Sequence, residues 1–209
     1  GDNYDLIQRR KAEGRPFPNV VKYGEGLDHC IHPDFIADQL TRTLQRLNLD
    51  TLDVYLLHNP EYYLMWAKRA HIDVDTARRT FYERIRLAFE HLEQEVANGR
   101  HLSYGISATT FPISANDPTF VSFTAVWEIA QSIAKTSGHP HHFSTIQLPM
   151  NLFETGGSEQ HNHPGQQTVL DAAQAAHVGV LINRPLNAFR DTVLLRLADV
   201  PAPNYPAQV

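Results

Sequence analysis

The sequence predicts an α/β protein built on a parallel sheet with helices packed outside it. Three observations carry that reading. Apolar runs of strand length alternate with segments in which apolar residues recur at helical spacing. Each connection between successive strands is long enough to hold a helix, as a parallel crossover requires. Three of the strands end on polar side chains, His58, Ser107 and Gln147. In parallel α/β folds chemistry gathers at the carboxyl ends of the strands, so these residues form one candidate functional rim.

Residues 1–33 are polar and punctuated by Gly14, Pro16, Pro18, Gly24, Gly26 and Pro33. They read as a short helical piece followed by a long loop. Pro33 suits the first turn of a helix, where its missing N–H is harmless. Phe35, Ile36, Leu40, Leu44 and Leu47 then follow at helical spacing, which predicts a helix over 34–48. The next strand, 52–58, ends on His58 and is broken by Asn59-Pro60. Residues 59–74 read as a loop, with Asp75 placed to cap the following helix. Phe81, Ile85, Ala88, Phe89, Leu92 and Val96 form a long apolar stripe that Gly99 stops.

The strand 101–107 comes next, and then a loop over 108–118. A helix is expected over 119–136 through Phe120, Phe123, Val126, Trp127, Ile129, Ala130 and Ile133. A histidine-rich turn, 138–142, precedes a strand over 143–148, and residues 149–165 read as a long loop. Val169, Leu170, Ala173 and Ala176 mark a helix ending near His177, followed by a strand over 179–183. A last helix is expected over 190–198 and an extended, proline-bearing tail over 199–209. The whole, 1–209, reads as one domain. Its strands and helices fill 34–198. Periodicity alone leaves an open doubly wound sheet and a barrel as alternatives. A closed barrel of eight strand–helix units takes about 250 residues, and four strands cannot close one.

Composition narrows the function. The 209 residues are 42% hydrophobic, enough for one sizeable core. Net charge is −5, from 18 basic and 23 acidic residues, so no basic surface for nucleic acid is implied. No apolar run of about 18 residues is present, so no membrane span is expected. Cys30 is the single cysteine, which rules out an internal disulfide and leans toward a reducing compartment such as the cytoplasm.

Several ordered segments together resemble the aldo-keto reductase family. Gln39-Leu40-Thr41-Arg42-Thr43-Leu44-Gln45-Arg46-Leu47 and Leu49 to Pro60 are similar to the family's helix and fourth strand. Ala88-Phe89, Leu92-Glu93 and Gly99-Arg100 resemble the helix that follows. Tyr104-Gly105-Ile106-Ser107, Gln147 to Leu152, and Asn183-Arg184-Pro185-Leu186 resemble the fifth, sixth and seventh strands. The resemblance implies a (β/α)8 barrel, incomplete in this chain, that binds NADPH in extended form and reduces an aldehyde or ketone by hydride transfer. It implies that His58 orients the substrate carbonyl, and that Ser107 and Gln147 hold the nicotinamide carboxamide. Asn183, Arg184 and Leu186 would lie along the cofactor, with the backbone near Arg184 approaching the pyrophosphate.

Other parts of the family pattern are not matched. The family's aspartate and tyrosine belong to strands before those found here, and Asp2 and Tyr4 are too close together to fill both roles. Lys22 stands at about the family's spacing upstream of His58, but in surroundings that read as loop. Ala108 and Asn183 replace the family's asparagine and stacking tyrosine, and no basic segment for a 2′-phosphate follows residue 198. Open barrel edges would expose strand backbone and apolar helix faces, which a protein partner or a second copy could cover.

Two histidine groups, Asp28-His29-Cys30-Ile31-His32 and His139, His141, His142, His161 and His163, have ligand types but fit no zinc spacing, so they read as solvated loop residues and no metal is assigned. Tyr62, Tyr63, Met65 and Trp66 offer either an aromatic wall for a carbonyl substrate or a self-packed loop. Cys30 reads as a small buried hydrophobe. Two functions stand: an NADPH-dependent carbonyl reductase, with this chain as the central part of the barrel, or an inactive homologue acting as an interaction subunit. A metal-dependent barrel hydrolase lacks the carboxylate–histidine set it would need.

Overall fold

A computed structural model describes residues 2–190 and 193–198. The chain opens with helix α1 (Asp2–Ala12) and an antiparallel hairpin, β1 (Val21–Gly24) and β2 (Leu27–His29). Helix α2 (Pro33–Leu47) leads into β3 (Leu52–His58), the short helix α3 (Tyr62–Arg69), the long helix α4 (Val74–Ala97) and β4 (His101–Ser107). Helix α5 (Phe123–Ser137), β5 (Phe143–Pro149), a single turn α6 (Gly156–Glu159), helix α7 (Val169–Ala175) and β6 (Gly179–Asn183) follow. A second hairpin, β7 (Asn187–Arg190) and β8 (Val193–Arg196), ends the described chain.

β3, β4, β5 and β6 form one parallel sheet in sequence order. Its helix-covered face buries Leu57, Tyr104, Ile106, Ile146 and Leu148 against Phe81, Ile85, Phe89 and Leu92 of α4 and Val126, Ala130 and Ile133 of α5. The other face carries Val54, Leu56 and His58, then Ser103, Gly105 and Ser107, then Thr145 and Gln147, then Leu181 and Asn183, as the strand register dictates. This face is only partly covered: Val54 is 40% and Leu181 47% exposed. Gly105 sits where β4 and β5 shift register, and a Cβ there would stand 1.8 Å from the Thr145 carbonyl oxygen. Only glycine fits that approach. A smaller apolar cluster of Leu6, Ile7, Phe17, Cys30 and Phe35 joins α1 to α2.

The helices start and stop where local chemistry requires. His32 accepts from the Asp34 amide ahead of Pro33, and Asn48 ends α2 at φ 53°. Ser122 caps α5 and Gly138 ends it at φ 77°, while Thr168 and Asp171 form a capping box on α7. At the amino ends of the strands Glu93 accepts from the Tyr104 hydroxyl, at 2.7 Å, and from the His142 amide, at 2.8 Å.

Five expectations change. Asp73, not Asp75, caps α4, because its carboxylate reaches the Thr76 amide at 3.0 Å. Residues 1–33 hold a full helix and a hairpin rather than mostly loop. Residues 59–74 are not a plain loop, because Tyr63, Leu64 and Ala67 bury one face of α3. Residues 149–165 hold α6 and the start of one 3-10 turn (Pro164–Gln166). The helix expected over 190–198 is instead part of a hairpin, in which strand pairing outcompetes a pattern of leucines that also suits a helix. The expected tail, 199–209, lies outside the described residues.

Candidate functional site

The site begins with the way β3 ends. Asn59 takes φ 49°, in the left-handed region that asparagine tolerates, and Pro60 removes the next donor. The strand stops with His58 exposed at its carboxyl end. The Asn59 amide donates to the Ser107 carbonyl at 2.8 Å, and the Ala108 amide to the Gln147 carbonyl at 3.0 Å. The three strand ends are therefore held one rung beyond the regular ladder.

His58 pairs in register with Ser107, and Ser107 with Gln147. Register partners in a parallel sheet point the same way, so imidazole, hydroxyl and carboxamide stand in one row on one face. The Ser107 hydroxyl donates to Gln147 Oε1 at 2.8 Å. That bond leaves the Gln147 NH2 group as a donor and the Ser107 oxygen as an acceptor, a pair complementary to a primary carboxamide. One rung further out, Asn183 pairs with Pro149 and so shares this face; its Oδ1 is buried without a partner among the described residues.

Arg184 follows in the left-handed region, at φ 57°, a strained conformation for a non-glycine residue. Its guanidinium binds Glu154 at 2.8 Å and covers the Phe189 ring at 5.1 Å. Asn151 ties the two loops together by donating to the Arg184 carbonyl at 3.1 Å and the Asn187 carbonyl at 3.0 Å. Leu186 is exposed beyond them. The row and the Asn183–Leu186 segment thus share one rim, with Leu186 at its outer edge.

A pocket of about 160 Å³ opens beside His58, lined also by Asp28, His29, Gln39, Tyr55 and Leu56. Ser107 and Gln147 lie outside its walls. His29 donates through Nε2 to the His58 carbonyl at 2.7 Å, and burial lowers its pKa. Lys22 is exposed on β1 and pairs in register with Asp28, in the hairpin rather than the parallel sheet.

The aromatic segment packs on the protein itself. Tyr62 stacks on Tyr23 at 3.9 Å, Tyr63 is buried, and Trp66 packs against the main core. Cys30 is buried with its thiol donating to the Pro18 carbonyl, and burial pushes that thiol up to about 11. Such a thiol is inert at neutral pH. Among the described residues no three histidine, cysteine or carboxylate side chains converge to hold a metal ion.

Several buried polar groups escaped the sequence, among them Asp28, which was read with its histidine neighbours as a solvated loop residue and is 7% exposed. His163, read as a solvated loop residue, is buried: its Nε2 accepts from the Phe123 amide at 3.1 Å, and burial lowers its pKa to about 4. Glu61 is fully buried at the start of α3, where Oε1 accepts from both the amide and the hydroxyl of Thr109, each at 2.8 Å. Its only sequence signal is its place directly after the strand-ending His58-Asn59-Pro60.

A parallel α/β sheet with helices on one face and a polar row at the carboxyl ends of its strands defines a barrel-type α/β protein. The sequence model of the aldo/keto reductase family matches residues 20–188, and the chain belongs to that family. The family fold is a (β/α)8 barrel, and the parallel sheet among the described residues has four strands. Members use nicotinamide cofactors in oxidoreduction.

Two of the solved structures that resemble it illustrate the likeness. The glycerol dehydrogenase AKR11B4 from Gluconobacter oxydans is 18% identical with a TM-score of 0.43, over 86% of this chain and 44% of that one. The apo form of Gox0644 is 15% identical with a TM-score of 0.41, over 74% and 40%. The chain thus spans less than half the length of either. No curated protein sequence matches it. No helix among the described residues is long and apolar enough to cross a membrane.

Proposed function

We propose that this chain carries the nicotinamide-binding and carbonyl-orienting part of an NADPH-dependent reductase of aldehydes or ketones. The observation that carries the reading is the single row His58–Ser107–Gln147 on one face of the sheet. The residues fit the cofactor chemically. The Gln147 amide would donate to the carboxamide oxygen, and the Ser107 oxygen would accept from the carboxamide nitrogen. Asn183 Oδ1, without a partner among the described residues, would offer a further acceptor one rung out, and the strained Arg184 backbone and Leu186 would line the extended cofactor.

When bound, NADPH supplies the hydride that adds to the carbonyl carbon. His58 has an exposed imidazole on the same face as Ser107 and Gln147, from which it would reach the substrate carbonyl. A neutral imidazole N–H there donates to the carbonyl oxygen and stabilises the negative charge that develops on it. The exposed Lys22 is not assigned a role in proton transfer.

The test uses the full gene product. NADPH binding, followed by fluorescence quenching, and turnover of a generic aldehyde are measured for wild type and His58→Ala. Cofactor binding in both, with turnover reduced at least about 100-fold in the variant, supports the reading. Absence of NADPH binding in the wild type removes it. The exposed Val54 and Leu181 favour a second reading, a catalytically silent subunit whose inner face a partner covers. That reading requires a stable complex and no turnover.

A further inference from the structure

Glu61 is a carboxyl buried away from solvent beside the end of β3. It has no exposed surface, lies at the junction between the end of β3 and α3, and leaves Oε2 buried without a partner among the described residues. A buried carboxyl with one oxygen unpaired is costly, because that oxygen has given up its bonds to water and gained none in return. A helix of this chain could start on serine or aspartate with less burial, so the glutamate needs a further reason.

Its partners supply one. Oε1 accepts from the Thr109 amide and the Thr109 hydroxyl, both at 2.8 Å. Thr109 stands two residues beyond Ser107, and Glu61 three residues beyond His58. Between them runs the Asn59 amide to Ser107 carbonyl bond at 2.8 Å. The segments leaving β3 and β4 are thus joined twice, once through backbone and once through this carboxyl. The Ala108 amide joins the same segment to β5 through the Gln147 carbonyl at 3.0 Å, and Glu61 joins it to the start of α3.

We propose that Glu61 is a positioning residue, whose buried carboxyl ties the Ser107–Thr109 segment to the end of β3 and so fixes the spacing of His58 and Ser107. The inference rests on the reading of that row as a nicotinamide-linked site. Glu61 touches neither His58 nor Ser107 through its side chain. It acts through the backbone that carries them, and burial keeps water from competing for the two Thr109 bonds.

The experiment compares wild type with Glu61→Gln, Glu61→Met and Thr109→Val in the full gene product. Glu61→Gln keeps an acceptor at Oε1; Glu61→Met keeps length and burial but accepts nothing. Three readouts are taken: hydrogen exchange of the Thr109 amide, NADPH dissociation constant, and kcat and KM for a generic aldehyde. The expected result for Glu61→Met is at least tenfold faster exchange at Thr109 and at least tenfold weaker NADPH binding per folded molecule. Glu61→Gln should stay within threefold of wild type, and Thr109→Val should weaken binding about threefold. A purely structural loss lowers the folded fraction and leaves the dissociation constant and KM of the remaining molecules unchanged. Wild-type exchange at Thr109 or wild-type NADPH affinity in Glu61→Met overturns the inference, and so does a Glu61→Gln variant as impaired as Glu61→Met. If Glu61→Met does not fold, Thr109→Val with wild-type affinity overturns it. A wild-type protein that binds no NADPH removes the reductase reading, and Thr109 exchange then still reports on the tether by itself.

Discussion

Acid should unfold this protein in part through one histidine, and the size of the effect follows from its surroundings. His163 is 5% exposed, and its Nε2 accepts from the Phe123 amide in the first turn of α5. The Nδ1 proton therefore faces Asn162 Oδ1, at 2.5 Å, while the Asn162 amide donates to the Phe111 and Ile113 carbonyls at 2.9 Å and 2.6 Å. Protonating Nε2 breaks the bond to Phe123 and places a positive charge at the positive end of a helix. Burial lowers the pKa from 6.5 to about 4. Because the folded value is the lower one, the unfolded chain binds more protons between the two. The stability this imidazole contributes is therefore complete above about pH 6.5 and is lost as pH falls toward about 4.

The full loss is roughly 3 kcal/mol, of which about 2 kcal/mol falls between pH 7 and pH 5. Urea unfolding of wild type and His163→Gln at both pH values measures it. Burial also lowers the pKa of His29, His91, His101 and His141, and their contributions are common to both proteins. The difference between the two pH dependences should therefore be about 2 kcal/mol, with wild type the more acid-sensitive. Equal pH dependence in the two proteins would refute the reasoning.

Three further outcomes are expected. Gly105→Ala should destabilise the sheet by about 2–4 kcal/mol, because its methyl group would stand 1.8 Å from the Thr145 carbonyl oxygen; a melting temperature equal to wild type would contradict this. Phe89→Ala should cost about 3–5 kcal/mol in denaturant unfolding, since the fully buried ring packs on Tyr104 at 4.9 Å and Phe143 at 5.2 Å. Ser107→Ala should leave Gln147 Oε1 without its donor and weaken NADPH binding about tenfold with little change in stability; unaltered affinity would remove Ser107 from the cofactor site.

The alternation of strand and helix was legible in the sequence because each element there carries its own pattern. The strands 52–58, 101–107 and 179–183 are short apolar runs with punctuation at both ends, and they form over those ranges. Helix α4 follows an unbroken apolar stripe from Phe81 to Leu92 and stops beside Gly99. The polar ends of three successive strands could be named as a row because parallel strands bring their carboxyl ends together. Helix α3 is not legible in the sequence although Tyr63, Leu64 and Ala67 sit at helical spacing, since eight residues after a proline carry too little periodicity to outweigh a loop reading. The hairpin β7–β8 is hidden for the opposite reason: Leu194, Leu195 and Leu197 suit a helix as well as a strand.

What the sequence determined by itself is therefore the order of elements, the apolar faces and the residue types on the rim, all of which depend on local spacing. Tertiary structure alone decided which polar groups are buried. Glu61 and His163 lie in stretches that read as loops, yet each is enclosed by residues about 40–50 positions away, Thr109 and Phe123. Burial and hydrogen bonding of that kind are properties of packing between distant segments, and local pattern carries no trace of them.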